Sequence, residues 1–438
     1  FPRADLRGQR GKLPARWLLE TASRLEGRAI FSGDLESLKR DWYTPVPSFE
    51  GALSGGGEPA SEQEYDLRSL LGWRAAGKRA FDHYLAVEAP ELRAGLAAHE
   101  ARGEDALSRW DGFVDAQPAL RPSDERPASP TALQNWAACP FRYFLGNVLY
   151  VAETEQPEDA LSITPLDRGN LVHSALETFI VEAPPRTSPE QPWDDDERAL
   201  IRRIGERICD EFEAAGRTGR RLLWRLDRDR ILSDLTGFLD ADEAMRKKYG
   251  VVPAQAELVF GRRDRSPVIV TLASGSQVAF RGRIDRVDRA PDGSSLLVLD
   301  YKTGSPRMFE KLEHDPVRRG KLLQLPIYAL AAQAKYGAST TRAFYWFVRE
   351  QHNYKREGYI VAEPQLDIFR RALTTIVDGI ADGLFPAHPG KPSRGDGYEN
   401  CQICPYNRIC PVDRGRVWER KSRSPELRAY QQLTEGQL

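Results

Sequence analysis

No run of about 18 or more apolar residues occurs in the 438-residue chain, so no membrane-spanning helix is expected. The N-terminus lacks a charged start leading into an apolar stretch, and no secretory signal is expected from it. Cysteine is scarce at five residues, too few for a disulfide-stapled secreted fold. No G-x-x-x-x-G-K-[ST] phosphate loop is present, which leaves the sequence without an ATPase motor motif. Internal repeats are absent too. Net charge is nearly nil: 63 Lys and Arg against 64 Asp and Glu give −1. That excludes a globally polycationic protein, but not a basic groove, because a nucleic-acid footprint is a matter of charge distribution. Arginine is in fact concentrated at 217–230 and 414–423.

What is present fits a globular protein located in the cytoplasm, with 41% hydrophobic and 29% charged residues. The chain starts at Phe1 rather than Met and is expected to be one piece of a longer polypeptide. The N-terminal part carries a helix over Arg16–Leu25, a Gly/Ser loop at Gly51–Ser61 and helical periodicity over 64–110. The proline-rich Asp115–Pro130 reads as a linker, giving an accessory region 1–125 and a second domain 126–438. In that domain Thr131–Val151, 168–181 and 195–249 read as helical, the last broken around Gly216–Gly219. Strands follow at Ala254–Phe260, Val268–Leu272, Gln277–Val287 and Ser295–Lys302. A helix over Leu322–Tyr336, strands over Thr341–Arg349 and Gly358–Ala362, and a helix over Gln365–Leu384 complete the pattern. This order predicts an α/β fold, a mixed central sheet flanked by helices with a helical insertion.

The chemistry-bearing stretch is Arg281–Gly304. Side chains alternate along a strand, so Arg281, Arg283 and Asp285 share one face. The next strand, Leu296–Leu299 and then Asp300-Tyr301-Lys302-Thr303-Gly304, buries an apolar run and presents Asp300 and Lys302 on one face at its end. Two carboxylates on adjacent strands make a rigid seat for magnesium, which prefers carboxylate oxygens. Such a cation binds a phosphate and acidifies an attacking water. A lysine alongside orients that water or offsets developing charge. A surface hairpin with a salt-bridged Asp and Lys is the competing reading of D-x-K alone.

A second constellation is Cys401-x2-Cys404-x5-Cys410, with Cys139 far upstream in Cys139-Pro140-Phe141-Arg142-Tyr143-Phe144. Three clustered thiolates leave a tetrahedral site one ligand short, and Cys139 can supply it. The set would then clasp the two ends of the domain. Four thiolates suit zinc or an iron–sulfur cluster alike. Cys209 is left as an ordinary helical residue.

Arg283-Ile284-Asp285 followed by Leu299-Asp300-Tyr301-Lys302-Thr303-Gly304 resembles the PD-(D/E)XK nuclease motif, and more narrowly the nuclease domains of the RecB and AddB type. Gly169-Asn170-Leu171-Val172-His173 resembles the family's helical G-x-x-x-H motif, which implies His173 as a metal ligand. Gly169, His173 and Glu177 lie on one helix face. Gln324-Leu325-Pro326-Ile327-Tyr328 resembles the Q-x-x-x-Y motif, which implies that Gln324 and Tyr328 position DNA. Glu257 matches a Glu often found on the family's first core strand. The cysteine spacing resembles the four-cysteine staple of AddB-type nucleases and implies a 4Fe-4S cluster on Cys139, Cys401, Cys404 and Cys410. The resemblance spans about 129–415; residues 1–125 resemble the tail of a helicase-like region only weakly.

Together these imply a magnesium- or manganese-dependent deoxyribonuclease acting on single-stranded DNA, with Asp285, Asp300 and His173 on the metal and Lys302 assisting. Its partner would be a helicase subunit or a helicase region of a longer chain, in double-strand break processing. A catalytically silent DNA-binding scaffold is the contrary expectation, and the intact Asp285, Asp300, Lys302 set argues against it. A stand-alone CRISPR-associated nuclease is another, which the N-terminal region argues against. Trp136, Phe141, Tyr143 and Phe144 are expected to pack in the core rather than stack on bases.

Overall fold

The computed structural model describes residues 13–45, 49–54, 58–152, 161–262, 265–393 and 397–436. The chain divides into two compact units: Phe1–Glu104 with Pro411–Asp413, and Asp105–Cys410 with Arg414–Leu438. The first unit is helical among its described residues, with helices at Arg16–Glu26, Phe49–Ser54, Glu62–Ala75, Tyr84–Glu88 and Pro90–Gly103. Its small core gathers Ala22, Ile30, Leu35 and Leu38. The stretch Gly51–Ser61, expected as a loop, begins inside a helix. Residues 55–57 of that stretch, and the opening Phe1–Arg7, lie outside the described residues.

The second unit starts at Asp105, upstream of the boundary expected at 125/126. The segment expected as a linker is instead tied down. Val114 N donates to Gly383 O at 3.0 Å, and Ala128 N donates to Ala279 O at 3.0 Å. Gly112 makes this possible. Its φ is +92°, and a Cβ there would stand 2.3 Å from Phe385 O, so no other residue fits.

Helix α1 (Pro130–Ala138) ends at Cys139, whose backbone is extended (φ −159°, ψ 107°). The continuous helix expected over Thr131–Val151 is therefore broken. Pro140 explains the break, because a residue before proline is pushed out of the α region. Helices α2 (Pro165–Glu182), α3 (Asp195–Ala214) and α4 (Arg221–Tyr249) follow. Thr164 caps α2 by accepting from Asp167 N at 3.0 Å, and an Asp194/Glu197 capping box starts α3.

The strands are β1 (Val252–Phe260), β2 (Val268–Thr271), β3 (Gln277–Phe280), β4 (Gly282–Arg289), β5 (Ser295–Lys302), β6 (Thr340–Phe347) and β7 (Arg356–Ile360). Helix α5 (Gln324–Tyr336) crosses from β5 to β6. Helices α6 (Glu363–Ala381) and α7 (Arg428–Glu435) follow. The main sheet runs β1-β4-β5-β6-β7, and β2 with β3 forms a separate pair. β5 and β6 are parallel; the other main-sheet neighbours are antiparallel. This is the mixed α/β sheet flanked by helices that the sequence implied.

The single strand expected over Gln277–Val287 is two. Arg281 N donates to Ala128 O at 2.9 Å, so the ladder changes partner at that residue. Gly282 resumes the main sheet under the Phe260 ring, where a Cβ would stand 2.7 Å from Phe260 Cζ.

Alternation along β5 builds two cores. Leu296 and Val298 join α1, α5, α6 and α7 in one hydrophobic cluster. Leu297, Leu299 and Tyr301 join α2, α3 and α4 in the other. All of Leu296–Leu299 are 1% exposed or less, and each such burial stabilises by roughly 1.5–3 kcal/mol. A buried ionic network fastens α4 to β4. Arg286 Nη1 lies 2.7 Å from Asp242 Oδ1, and Arg286 Nε lies 2.6 Å from Asp288 Oδ1. Asp242 also takes Arg246 at 2.8 Å and the Trp193 indole at 2.8 Å.

Candidate active site

The β4–β5 ladder runs Arg289–Leu296 to Arg286–Leu299 and then opens. Continuing the register sets Asp285 across from Asp300, on the sheet face that meets α5. In the opening, Tyr301 N donates to Asp285 Oδ2 at 2.6 Å. Asp285 Oδ1 lies 3.3 Å from His173 Nδ1, on α2. The other ring nitrogen, His173 Nε2, is 3.0 Å from Tyr301 O. A carbonyl only accepts, so Nε2 carries the proton.

Asp300 is held from the α5 side. Its Oδ2 is paired with Lys302 Nζ, and its Oδ1 accepts from Gln324 Nε2 at 2.9 Å. The same amide nitrogen lies 3.3 Å from Tyr328 Oη, and Lys302 Nζ is 3.4 Å from Gln324 Oε1. The i, i+4 spacing of Gln324 and Tyr328 thus aims both at Asp300 and Lys302, with the ammonium 5.2 Å above the Tyr345 ring. Asp285, Asp300, Lys302, His173, Gln324 and Tyr328 therefore come together.

Burial, reinforced by the like charge of Asp285, raises the Asp300 carboxyl above its ordinary range against the pull of Lys302. Burial disfavours a charged His173, but the hydrogen bond and charge of Asp285 outweigh it and the imidazole is raised. Glu257 has φ +50° within β1. Its flanking pairs, Ala256–Arg286 and Leu258–Ile284, put it across from Asp285. It is ion-paired with Arg283 at 2.5 Å. Burial pushes its carboxyl up to about 7, with Asp285 and Glu177 adding to the rise against Arg283. His173, Glu257 and Arg283 line a groove of about 870 Å³, together with Gly169 and Glu177 from α2, Lys302 at the end of β5, and Thr303 and Gly304 beyond it.

The sequence profile described as the PD-(D/E)XK nuclease superfamily matches residues 127–411, well over half of the chain. The chain belongs to this family. Membership makes it a hydrolytic nuclease by family, and nucleases of this family use divalent metals. Among similar curated proteins is an ATP-dependent helicase/deoxyribonuclease subunit from Symbiobacterium thermophilum. It is 29% identical over 306 residues, which cover 66% of this chain and 25% of that protein. The corresponding helicase/deoxyribonuclease subunits of Alkaliphilus oremlandii and Alkaliphilus metalliredigens are 28% identical over 262 residues and 29% over 210. Those stretches cover 56% and 46% of this chain but 21% and 17% of the relatives. The chain thus spans a quarter or less of the length of these relatives.

The nuclease domain brings its four spaced cysteines around a second, small cavity of about 20 Å³. Cys139, Cys401, Cys404 and Cys410 all line it. His388 N donates to Cys139 Sγ at 3.4 Å. Burial pushes the Cys410 thiol up to about 12, against the nearby Arg414 charge. Among the described residues, no group of three or more His, Cys, Asp or Glu side chains is arranged to hold a metal ion as it stands.

Of the four aromatics expected in the core, Trp136, Tyr143 and Phe144 pack there, whereas Phe141 is half-buried and lines the cysteine cavity. Trp136 is fully buried and donates to Leu384 O at 2.9 Å. Phe144 meets Phe385 at 5.1 Å. Cys209 is a buried residue of α3. Sequence reasoning missed two arginines of the groove wall, Arg168 and Arg349, while a third, Arg217, opens the Arg-rich stretch 217–230 noted from the sequence. Arg168 lies next to Gly169 of a recognised motif, a signal that was available; Arg349 has none.

Proposed function

We propose that this chain is the nuclease region of a helicase–nuclease and cleaves DNA with a divalent cation held by Asp285, Asp300 and His173. The observation that carries this reading is the convergence of both carboxylates, the imidazole and Lys302 where the β4–β5 ladder opens onto the groove. The donor set fits the group, because two carboxylates and a neutral imidazole suit magnesium or manganese. When bound, such a cation supplies Lewis acidity to the phosphate and lowers the pKa of a water. Lys302 steadies Asp300 and offers an ammonium to developing negative charge. Gln324 holds the Asp300 carboxylate and the Lys302 ammonium in register. Tyr328 stays protonated, its ionisation suppressed first by burial and then by the charge of Asp300, and braces Gln324.

The same reading gives Cys139, Cys401, Cys404 and Cys410 a 4Fe-4S cluster. Four thiols around one cavity, from segments far apart in sequence, support a structural clasp. Single-stranded DNA released by a helicase, on a partner protein or elsewhere in a longer chain, is the substrate in this reading, and the cytoplasm its place. The test is magnesium- or manganese-dependent cleavage of end-labelled single-stranded DNA, compared with a folded Asp300→Ala variant. Cleavage that the substitution abolishes supports the proposal. Absence of cleavage by both proteins with the cluster intact favours a silent DNA-binding role.

A further inference from the structure

Beyond Lys302, the groove wall carries four arginines, Arg168, Arg217, Arg283 and Arg349, and two of them, Arg168 and Arg349, hold buried N–H groups that the chemistry above leaves unused. Arg168 lies in the first turn of α2, and Arg349 lies just past β6, where Val348 N donates to Lys302 O at 3.0 Å and so sets the chain beside Thr303. Both side chains are largely buried, at 14% and 21% exposure. Arg168 Nη2 is held by Asp227 at 2.5 Å, but its Nη1 is buried with no hydrogen-bond partner among the described residues. Arg349 Nε is buried and without a hydrogen-bond partner among the described residues as well, since Asp234 stands 3.8 Å away, too far for a hydrogen bond. Arg349 Nη1 reaches Thr303 O only at 3.5 Å. Burial, and then the like charge of Arg168, hold the Arg349 guanidinium below the usual arginine range. Buried N–H groups without acceptors are costly, and the carboxylates beside these two arginines, Asp227 and Asp234, leave Arg168 Nη1 and Arg349 Nε without one among the described residues. Gly304, on the same wall, has no heavy atom within 4 Å of where a Cβ would stand, so an extended strand can lie against the backbone there.

We propose that Arg168 and Arg349 form a phosphate subsite that grips a backbone phosphate flanking the scissile one. The ligand class is the phosphodiester of a nucleic-acid strand, for which paired guanidinium groups supply forked donors. The inference rests on the nuclease reading, and it adds the direction in which the strand leaves the reacting groups: over Thr303 and Gly304 toward α2.

The experiment measures binding of a fluorescein-labelled single-stranded oligonucleotide to the full 438-residue chain in EDTA, by anisotropy, from about 50 to 200 mM salt. Losing one phosphate contact lowers the slope of log K against log salt by about 0.7 on a single strand. Arg349→Ala and Arg168→Gln are each expected to show that drop, and Arg349→Lys to keep the wild-type slope. A role in folding alone would lower affinity without changing the slope. If either variant does not fold, wild-type protein is titrated with oligonucleotides carrying one neutral methylphosphonate linkage at a time. A drop in slope confined to one linkage supports the subsite. Wild-type slopes in the folded variants, or an equal effect at every linkage, overturn it. Because cleavage is not read, failure here is distinguishable from failure of the nuclease proposal, which shows as absent turnover.

Discussion

His173 donates from Nε2 to the Tyr301 carbonyl at 3.0 Å while its Nδ1 stands 3.3 Å from Asp285 Oδ1. The backbone bond fixes the ring plane and leaves Nδ1 as the nitrogen that faces the carboxylates, which is how an outer partner preorients a ligating imidazole. With His173 in the proposed ligand role, His173→Ala raises the magnesium concentration for half-maximal cleavage by about tenfold or more. Turnover at saturating metal falls less. Activity measured across a magnesium titration checks this, and an unchanged midpoint would remove His173 from the ligand set.

Glu257 gives the site a pH signature. Its folded-state pKa, about 7, is raised above the ordinary 4.5. The folded state therefore binds the proton more tightly than the unfolded state. The associated stability is fully present below pH 4.5 and is lost as pH rises through about 7. The side chain is only 11% exposed, and the shift corresponds to at most about 3 kcal/mol. Glu257→Gln in chelator-treated protein is expected to be the more stable form at pH 8 and to flatten the decline between pH 5 and 8. Urea unfolding midpoints across that range check it; parallel curves for the two proteins would contradict it.

The sequence made the site easier to read than the path of the chain around it. Asp300 and Lys302 follow an apolar run whose alternation fixes which residues face which core, so two-residue periodicity sufficed to put them on one face. His173 and Gln324 fall on helix faces by their i, i+4 partners, Glu177 and Tyr328. The failures have a common cause in contacts from distant sequence. Ala128 takes the Arg281 N–H, which splits a strand that looked continuous. The Gly112–Val114 stretch pairs with Gly383 and Phe385, which turns a proline-rich linker into part of the fold. The left-handed backbone of Glu257 carries no local mark, since glutamate seldom adopts it. The break at Cys139 was legible, because Pro140 dictates it.

Cys404 tests the clasp. If the four cysteines hold a cluster, any one removal unties the α1 end from the segment after α6. Cys404→Ala is expected to lower the melting temperature by several degrees, since each kcal/mol lost shifts Tm by about 2–4 °C in a domain of roughly this size. Absorbance in the visible region falls with it. Full thermal stability with loss of cleavage alone would mean that the cysteines act in the chemistry and not as a clasp.

Arg286 is ion-paired with two carboxylates, Asp242 on α4 and Asp288 on its own strand, and all three are fully buried. Its strand neighbour is Asp285, so the network that fastens α4 to the sheet also fixes the strand that delivers a candidate metal ligand. Arg286→Met removes the one cation that is ion-paired with Asp288 among the described residues and leaves Asp242 with Arg246 and Trp193. Breaking one side of a buried pair costs about 3–5 kcal/mol because the stranded charge stays buried. The urea midpoint should therefore fall steeply with the m-value unchanged. Asp288→Asn added to Arg286→Met relieves the stranded charge and should recover part of the loss, whereas an additive second loss would show that packing volume, and not charge pairing, is what Arg286 supplies to the junction of α4 and β4.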